Sequence, residues 1–172
     1  MIPLDKGNDG APTSAHIAGE IEAALALVRD EVQQREAMGM PRPGEWDAAQ
    51  CDAAYRCGYG AFERGDYVQA IECFAPLLSA CPMHADYAVA LALSLERHGE
   101  PKAALPLLMA AALLDQDAPG PMYRVGECLL ALDYRDAACQ AMKETLDRCG
   151  REPRYEKVRN AARSIMAQAA LR

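Results

Sequence analysis

AYRCGYGAFERGDYVQAIECF, residues 54–74, decides the fold. Gly58, Ala61 and Ala70 are small residues set among Tyr55, Tyr59, Phe62, Tyr67 and Phe74 at helical spacing, and Gly65 interrupts the pattern. Such a stretch reads as helix, turn, helix. A small residue at Gly58 in the first helix and another at Ala70 in the second let two backbones approach closely. Gly65 ends the first helix in the left-handed conformation that glycine adopts without a steric cost. Phe74 is expected to fill space beside whatever packs next. Aromatic residues make up only 6% of the chain, and half of them fall here.

Working outward, the pattern recurs. Gly58, Ala92 and Gly126 are spaced by 34 residues, as are Ala70, Ala104 and Ala138, and Phe74, Leu108 and Met142. The turn positions Gly65, Gly99 and Asp133 keep the same interval, Asp being a short polar side chain that tolerates a left-handed turn. A helix–turn–helix period of 34 is the spacing of tetratricopeptide (TPR) repeats. The expected fold is therefore all-α: three TPR hairpins, about 51–84, 85–118 and 119–152, stacked into a right-handed solenoid. A last helix, 153–170, carries Val158, Ala162, Ile165, Met166 and Ala169 on one face and caps the stack. Pro76 and Pro106 fall inside second helices, where each removes a backbone donor and is expected to bend or delay the helix.

Ahead of the repeats, residues 1–13 are Gly-, Pro- and Asp-rich and expected to be disordered. Ser14 then caps an amphipathic helix whose apolar stripe is Ile17, Ile21, Leu25, Val28 and Val32. Residues 39–45, GMPRPGE, break it and link it to the repeats, so that segment spans 14–46 and the TPR domain 47–172.

The net charge of −7 argues against nonspecific nucleic-acid binding, which needs a basic field. The acidity is concentrated ahead of residue 151, and residues 151–172 reverse it with six Lys/Arg against two Asp/Glu, which reads as a solvated helix face. LPLLMAAALL, 105–114, is too short to span a bilayer. Seven cysteines, an odd number with no C-x-x-C pair, and an N-terminus without a secretory signal suggest thiols acting mostly as small buried hydrophobes in a reducing compartment. No catalytic constellation, metal set or cofactor motif stands out. His16, His84 and His98 are scattered, and Cys81 with His84 falls short of the four ligands of a zinc site. The carboxylates read as exposed helical and turn positions.

Binding remains. The first helix of each repeat lines the concave face of such a solenoid. Tyr55, Tyr59 and Phe62 lie at i, i+4 and i+7 and share one face; one repeat on, the equivalents are Val89, Leu93 and Glu96, and one further Tyr123, Glu127 and Leu130. An aromatic stripe at this spacing is also what a core face looks like, with the Ser14 helix folded over it. The favoured reading is a groove that receives an extended peptide, because tyrosine offers apolar area together with a hydroxyl.

The stretch from residue 54 to 138 resembles the class II chaperones of bacterial type III secretion systems, which attend the translocator proteins. APGPMYRVGECLLALDYRDAA, 118–138, is the most telling part: a proline and an aromatic open the third repeat, followed by a small residue and then Glu127-Cys128-Leu129. The overall plan is also similar, with an N-terminal helical extension, three TPRs and a C-terminal helix in a small acidic chain. The resemblance implies a non-enzymatic chaperone of the bacterial cytoplasm, with no cofactor and no stable membrane association. It would bind hydrophobic translocator proteins in a groove lined by Tyr55, Tyr59, Phe62, Val89, Leu93 and Tyr123. It also implies a homodimer formed through the N-terminal region, for which Ile17, Ile21, Leu25, Val28 and Val32 are the candidates. The alternatives are a generic TPR adaptor, or a chaperone of another secretion substrate such as the needle subunit.

Overall fold

Three turns make the same hydrogen bonds at intervals of 34 residues. Asp66 N–H donates to Ala61 O at 3.0 Å, Glu100 to Leu95 O at 2.8 Å and Tyr134 to Leu129 O at 2.9 Å. Each is joined by a shorter-range bond from the preceding residue: Gly65 to Phe62 O, Gly99 to Glu96 O and Asp133 to Leu130 O. This is the paired closure of a helix end that needs a left-handed residue. Gly65, Gly99 and Asp133 have φ of 77°, 97° and 63°, so the aspartate does adopt the glycine conformation.

The computed structural model describes residues 33–34 and 37–170. The chain divides into two units, Met1–Met40 and Pro41–Arg172. The expected disordered segment and the Ile17–Val32 stripe lie outside the described residues. In the second unit the helices are α1 (Ala48–Glu63), α2 (Tyr67–Ala80), α3 (Ala85–His98), α4 (Pro101–Leu114), α5 (Pro119–Ala131), α6 (Arg135–Cys149) and α7 (Glu156–Ala170). Each packs on the next, and α7 also touches α5. A single 3₁₀ turn, Pro153–Tyr155, precedes α7. Among the described residues there is no strand.

Local chemistry sets the helix starts. Asp47 and Gln50 form a reciprocal capping box at α1, with bonds of 2.8 and 2.9 Å. Asp66 caps α2 through Gln69 N–H. Pro101 and Pro119 open α4 and α5, where a missing N–H is no loss. Arg148 of α6 donates to Ala112 O at 3.0 Å and Asp115 O at 3.3 Å, satisfying carbonyls at the end of α4. The prolines expected to bend their helices do not interrupt them: α2 and α4 run on through Pro76 and Pro106. Residues 72 and 102, to whose carbonyls those prolines cannot donate, are exposed and can be hydrated.

The repeating columns turn out to be one contact. A Cβ added at Gly58 would lie 2.6 Å from Phe74 Cε1, and one at Gly126 would lie 2.5 Å from Met142 Cε. Ala92 and Leu108, at the same two positions of the second hairpin, are both fully buried in one cluster. Phe74 therefore packs on Gly58 of its own hairpin, and does not serve only as filler beside the next. Large partners face glycine, and the smaller Leu108 accompanies alanine. The two glycines should respond differently to substitution. Gly58→Ala gains about 1 kcal/mol of helix propensity, but overpacking against a rigid ring costs about 2–3 kcal/mol. Gly126→Ala meets only the flexible tip of Met142. Urea unfolding should show Gly58→Ala destabilised by about 1–2 kcal/mol and Gly126→Ala neutral or stabilised. Equal losses would mean the ring and the thioether are equally constrained.

Candidate groove on the first-helix face

The face predicted from α1 and α3 carries a cleft of about 180 Å³. Tyr55, Tyr59 and Phe62 of α1 line one side, and Val89, Ala90 and Leu93 of α3 the other. Phe74 and Asp86 complete it. Helical spacing explains the α1 row. The close approach at Gly58 brings the Phe74 ring through to the same cleft, its centroid 5.8 Å from that of Tyr55. Tyr55 stacks on Tyr59 at 6.5 Å and leans on Tyr87 at 5.6 Å; Phe62 meets Tyr67 edge-on at 5.5 Å. These contacts fix the rings from behind and leave Tyr59 54% exposed. Its hydroxyl bonds the Glu63 carboxylate, which raises the phenol above its usual pKa.

Tyr123, Glu127 and Leu130, the α5 members of the expected row, lie outside this cleft. At α5 the surface changes character. Glu127 is ion-paired with Arg124 at 2.7 Å, and the Arg124 guanidinium sits 5.9 Å from the Tyr123 ring centroid. Burial first, then the bond to Glu127, push the Tyr123 hydroxyl up. Glu96 of α3 belongs to the same cluster and is an exception to the expectation of solvated carboxylates. Burial raises its pKa above 4.5, against the lowering effect of the Cys128 thiol and Arg124. Cys128 is fully buried and donates to Pro101 O at 3.2 Å; its pKa is pushed to about 12, first by burial and then by Glu96.

The sign of the Glu96 shift fixes a pH dependence. Because the folded pKa is raised, the ionised side chain disfavours the folded state at neutral pH. The stabilising contribution is complete below the unfolded value of 4.5 and is lost as pH rises through the folded value. Glu96→Gln should raise the melting temperature by a few degrees at pH 7, with the advantage shrinking towards pH 4. A constant offset across that range would count against a charge effect.

Sequence reasoning missed Phe74 and Asp86 as cleft residues. Phe74 had been assigned to packing alone, and Asp86 sits one turn before Val89, a spacing that could have found it. The cysteines also differ from expectation. Only Cys51, Cys128 and Cys149 are buried; Cys57 is exposed and Cys73, Cys81 and Cys139 are half-buried. Among the described residues no three His, Cys, Asp or Glu side chains are grouped to hold a metal ion. Nor is any described helix long and apolar enough to cross a membrane.

This fold, a stack of TPR-like hairpins, is shared by solved structures of type III secretion translocator chaperones. The Yersinia enterocolitica chaperone SycD, in complex with a peptide of the translocator YopD, matches with a TM-score of 0.69 at 16% identity, over 73% of this chain and 95% of that one. PcrH, the Pseudomonas aeruginosa protein, solved with the chaperone binding region of PopD, matches with a TM-score of 0.69 at 20% identity over the same shares. The TPR2B domain of yeast Sti1 in its complex with pHsp70 gives 0.67 at 14% identity, over 72% and 98%. No protein-family model and no curated protein sequence matches the chain.

Proposed function

We propose that this chain is a type III secretion chaperone of the bacterial cytoplasm that holds an extended apolar segment of a translocator protein and keeps it soluble before export. The observation that carries this reading is the open cleft in which Tyr55, Tyr59, Phe62 and Phe74 face Val89 and Leu93. Tyr59 exposed over half its surface, with Tyr55 and Phe62 half-buried beside it, makes an anchor site for apolar side chains that requires no catalytic group. The fold shared with SycD and PcrH, each solved with a translocator segment, supports that choice of partner. A segment bound there would place its apolar residues over α1 and α3 and its polar ones over Tyr123, Arg124 and Glu127. Leu130 extends the same helix face beyond them. Self-association through Ile17, Ile21, Leu25, Val28 and Val32 belongs to the same proposal, in line with the SycD dimers.

Co-expression with hydrophobic translocator subunits tests it. The wild-type chain should hold such a subunit in the soluble fraction, and Tyr59→Ala and Leu93→Glu should not. If both variants solubilise it as well as wild type, the cleft is not the site. The likeness to a yeast TPR domain favours a second reading, a general peptide adaptor. That reading gains if no apolar translocator segment binds.

A further inference from the structure

Tyr55 also walls a second cavity, of about 480 Å³, shared with Trp46, Cys51, Cys81, His84 and Tyr87. Its floor is a thiol pair: Cys51 Sγ and Cys81 Sγ lie 3.2 Å apart. We propose that Cys51 and Cys81 form a modification site, a dithiol that a peroxide converts into an intramolecular disulfide clasping the first hairpin.

The register of α1 and α2 makes the pair. Antiparallel helices packed through Gly58 and Phe74 bring the first turn of α1 beside the last turn of α2. Cys51 is in that first turn, and Cys81 is the residue closing α2, with φ −129° and ψ 67° outside the helical region. Disulfide sulfurs sit at about 2.0 Å, so the thiols must close by about 1 Å. The non-helical backbone at Cys81 and its χ1 rotation can supply that movement. The cavity gives an oxidant its way in. Cys81 is half-buried whereas Cys51 is 6% exposed, so Cys81 meets the oxidant first. The bond to Cys81, and then burial, hold the Cys51 thiol above its usual pKa, which makes it the later partner.

The chemistry balances with a peroxide alone. The Cys81 thiolate attacks one peroxide oxygen; the S–O bond forms, the O–O bond breaks, and the leaving hydroxide takes a proton to become water. Cys51 gives its proton to solvent, and its sulfur attacks the Cys81 sulfenic acid. The S–S bond forms and the S–O bond breaks, and the second hydroxide leaves as water. Two thiols lose two electrons and the peroxide gains them. Cys57 and Cys73 also touch across this hairpin. Burial first, then the bond to Cys57, push the Cys73 thiol to about 12, and both residues are held inside helices. Cys57 is exposed, but inside two helices this pair lacks the backbone freedom of Cys81 and is the slower to close. Tyr55 lines both cavities, and closing Cys51 to Cys81 fixes the hairpin that carries the α1 aromatics.

The full chain treated with hydrogen peroxide provides the test. Peptide mass mapping without reductant should find Cys51 joined to Cys81, lighter by two hydrogens. Emission from Trp46, the only tryptophan, should fall as the disulfide forms beside it and recover with dithiothreitol. The melting temperature should rise by about 5 °C. Cys81→Ser should abolish the link and the quenching, and Cys57→Ser should leave both. A link between Cys57 and Cys73, links only between chains, or sulfinic and sulfonic products without a 51–81 peptide would each overturn the proposal.

Discussion

Phe74→Ala is expected to cost about 3–5 kcal/mol, the largest single loss of stability in the molecule, out of about 5–15 kcal/mol for a domain of this kind. The ring is 2% exposed, lies on Gly58 with no Cβ to collapse into the void, and supports Tyr55 from behind. Removing it forfeits the transfer term and leaves a cavity that backbone on one side and an aromatic on the other cannot readily fill. The melting temperature should drop by about 10 °C. A double variant sharpens the test. Gly58→Ala with Phe74→Leu installs in the first hairpin the pair that the second already uses, Ala92 with Leu108. That combination should be more stable than the two single changes added together, a coupling of about 1 kcal/mol. Strict additivity would show that the two positions do not share one contact.

That contact marks how far the sequence could be read. The interval of 34 residues was visible because each turn needs a left-handed residue and each hairpin a small residue facing a large one. Those constraints act locally and leave their mark in residue type. Which large residue meets which small one depends on the register between two helices, and no single helix encodes it. Phe74 was accordingly expected beside the next hairpin, where it does line the cleft with Val89 and Leu93, while its contact with Gly58 of its own hairpin went unread. The same register pairs Cys51 with Cys81, while the cysteines by composition alone looked like scattered buried hydrophobes. Pro76 and Pro106 do not interrupt their helices, and the cost of a mid-helix proline depends on whether water reaches the freed carbonyl.

The groove row was legible on α1 and α3, where helical spacing alone places Tyr55, Tyr59, Phe62, Val89 and Leu93 on one cleft. It was less legible on α5. Tyr123, Glu127 and Leu130 occupy equivalent positions, but Arg124 draws Glu127 into an ion pair and Glu96 is half-buried next to them. Charge at the third hairpin turns an apolar row into a polar cluster, an effect that periodicity does not carry.

Leu93→Glu is the substitution expected to separate binding from folding most completely. Leu93 is half-buried and faces the cleft, so a carboxylate there can reach water in the free protein. In a complex with an apolar segment it would be covered. Binding would then lose the leucine's contact area, worth about 1.5–3 kcal/mol, and would have to desolvate a charge among Tyr59, Phe62 and Val89. The expected loss is at least about 100-fold in affinity for a hydrophobic translocator segment by calorimetry, since every 1.4 kcal/mol is a factor of ten. Circular dichroism should show unchanged helicity. Val68→Glu is the matched control, a new carboxylate on α2 at a side chain already 51% exposed and outside the cleft. It should bind as the wild type does. Equal weakening by both variants would point to general acidity, and undiminished binding by Leu93→Glu would remove the cleft from the mechanism. Loss confined to Leu93→Glu places the apolar segment between α1 and α3.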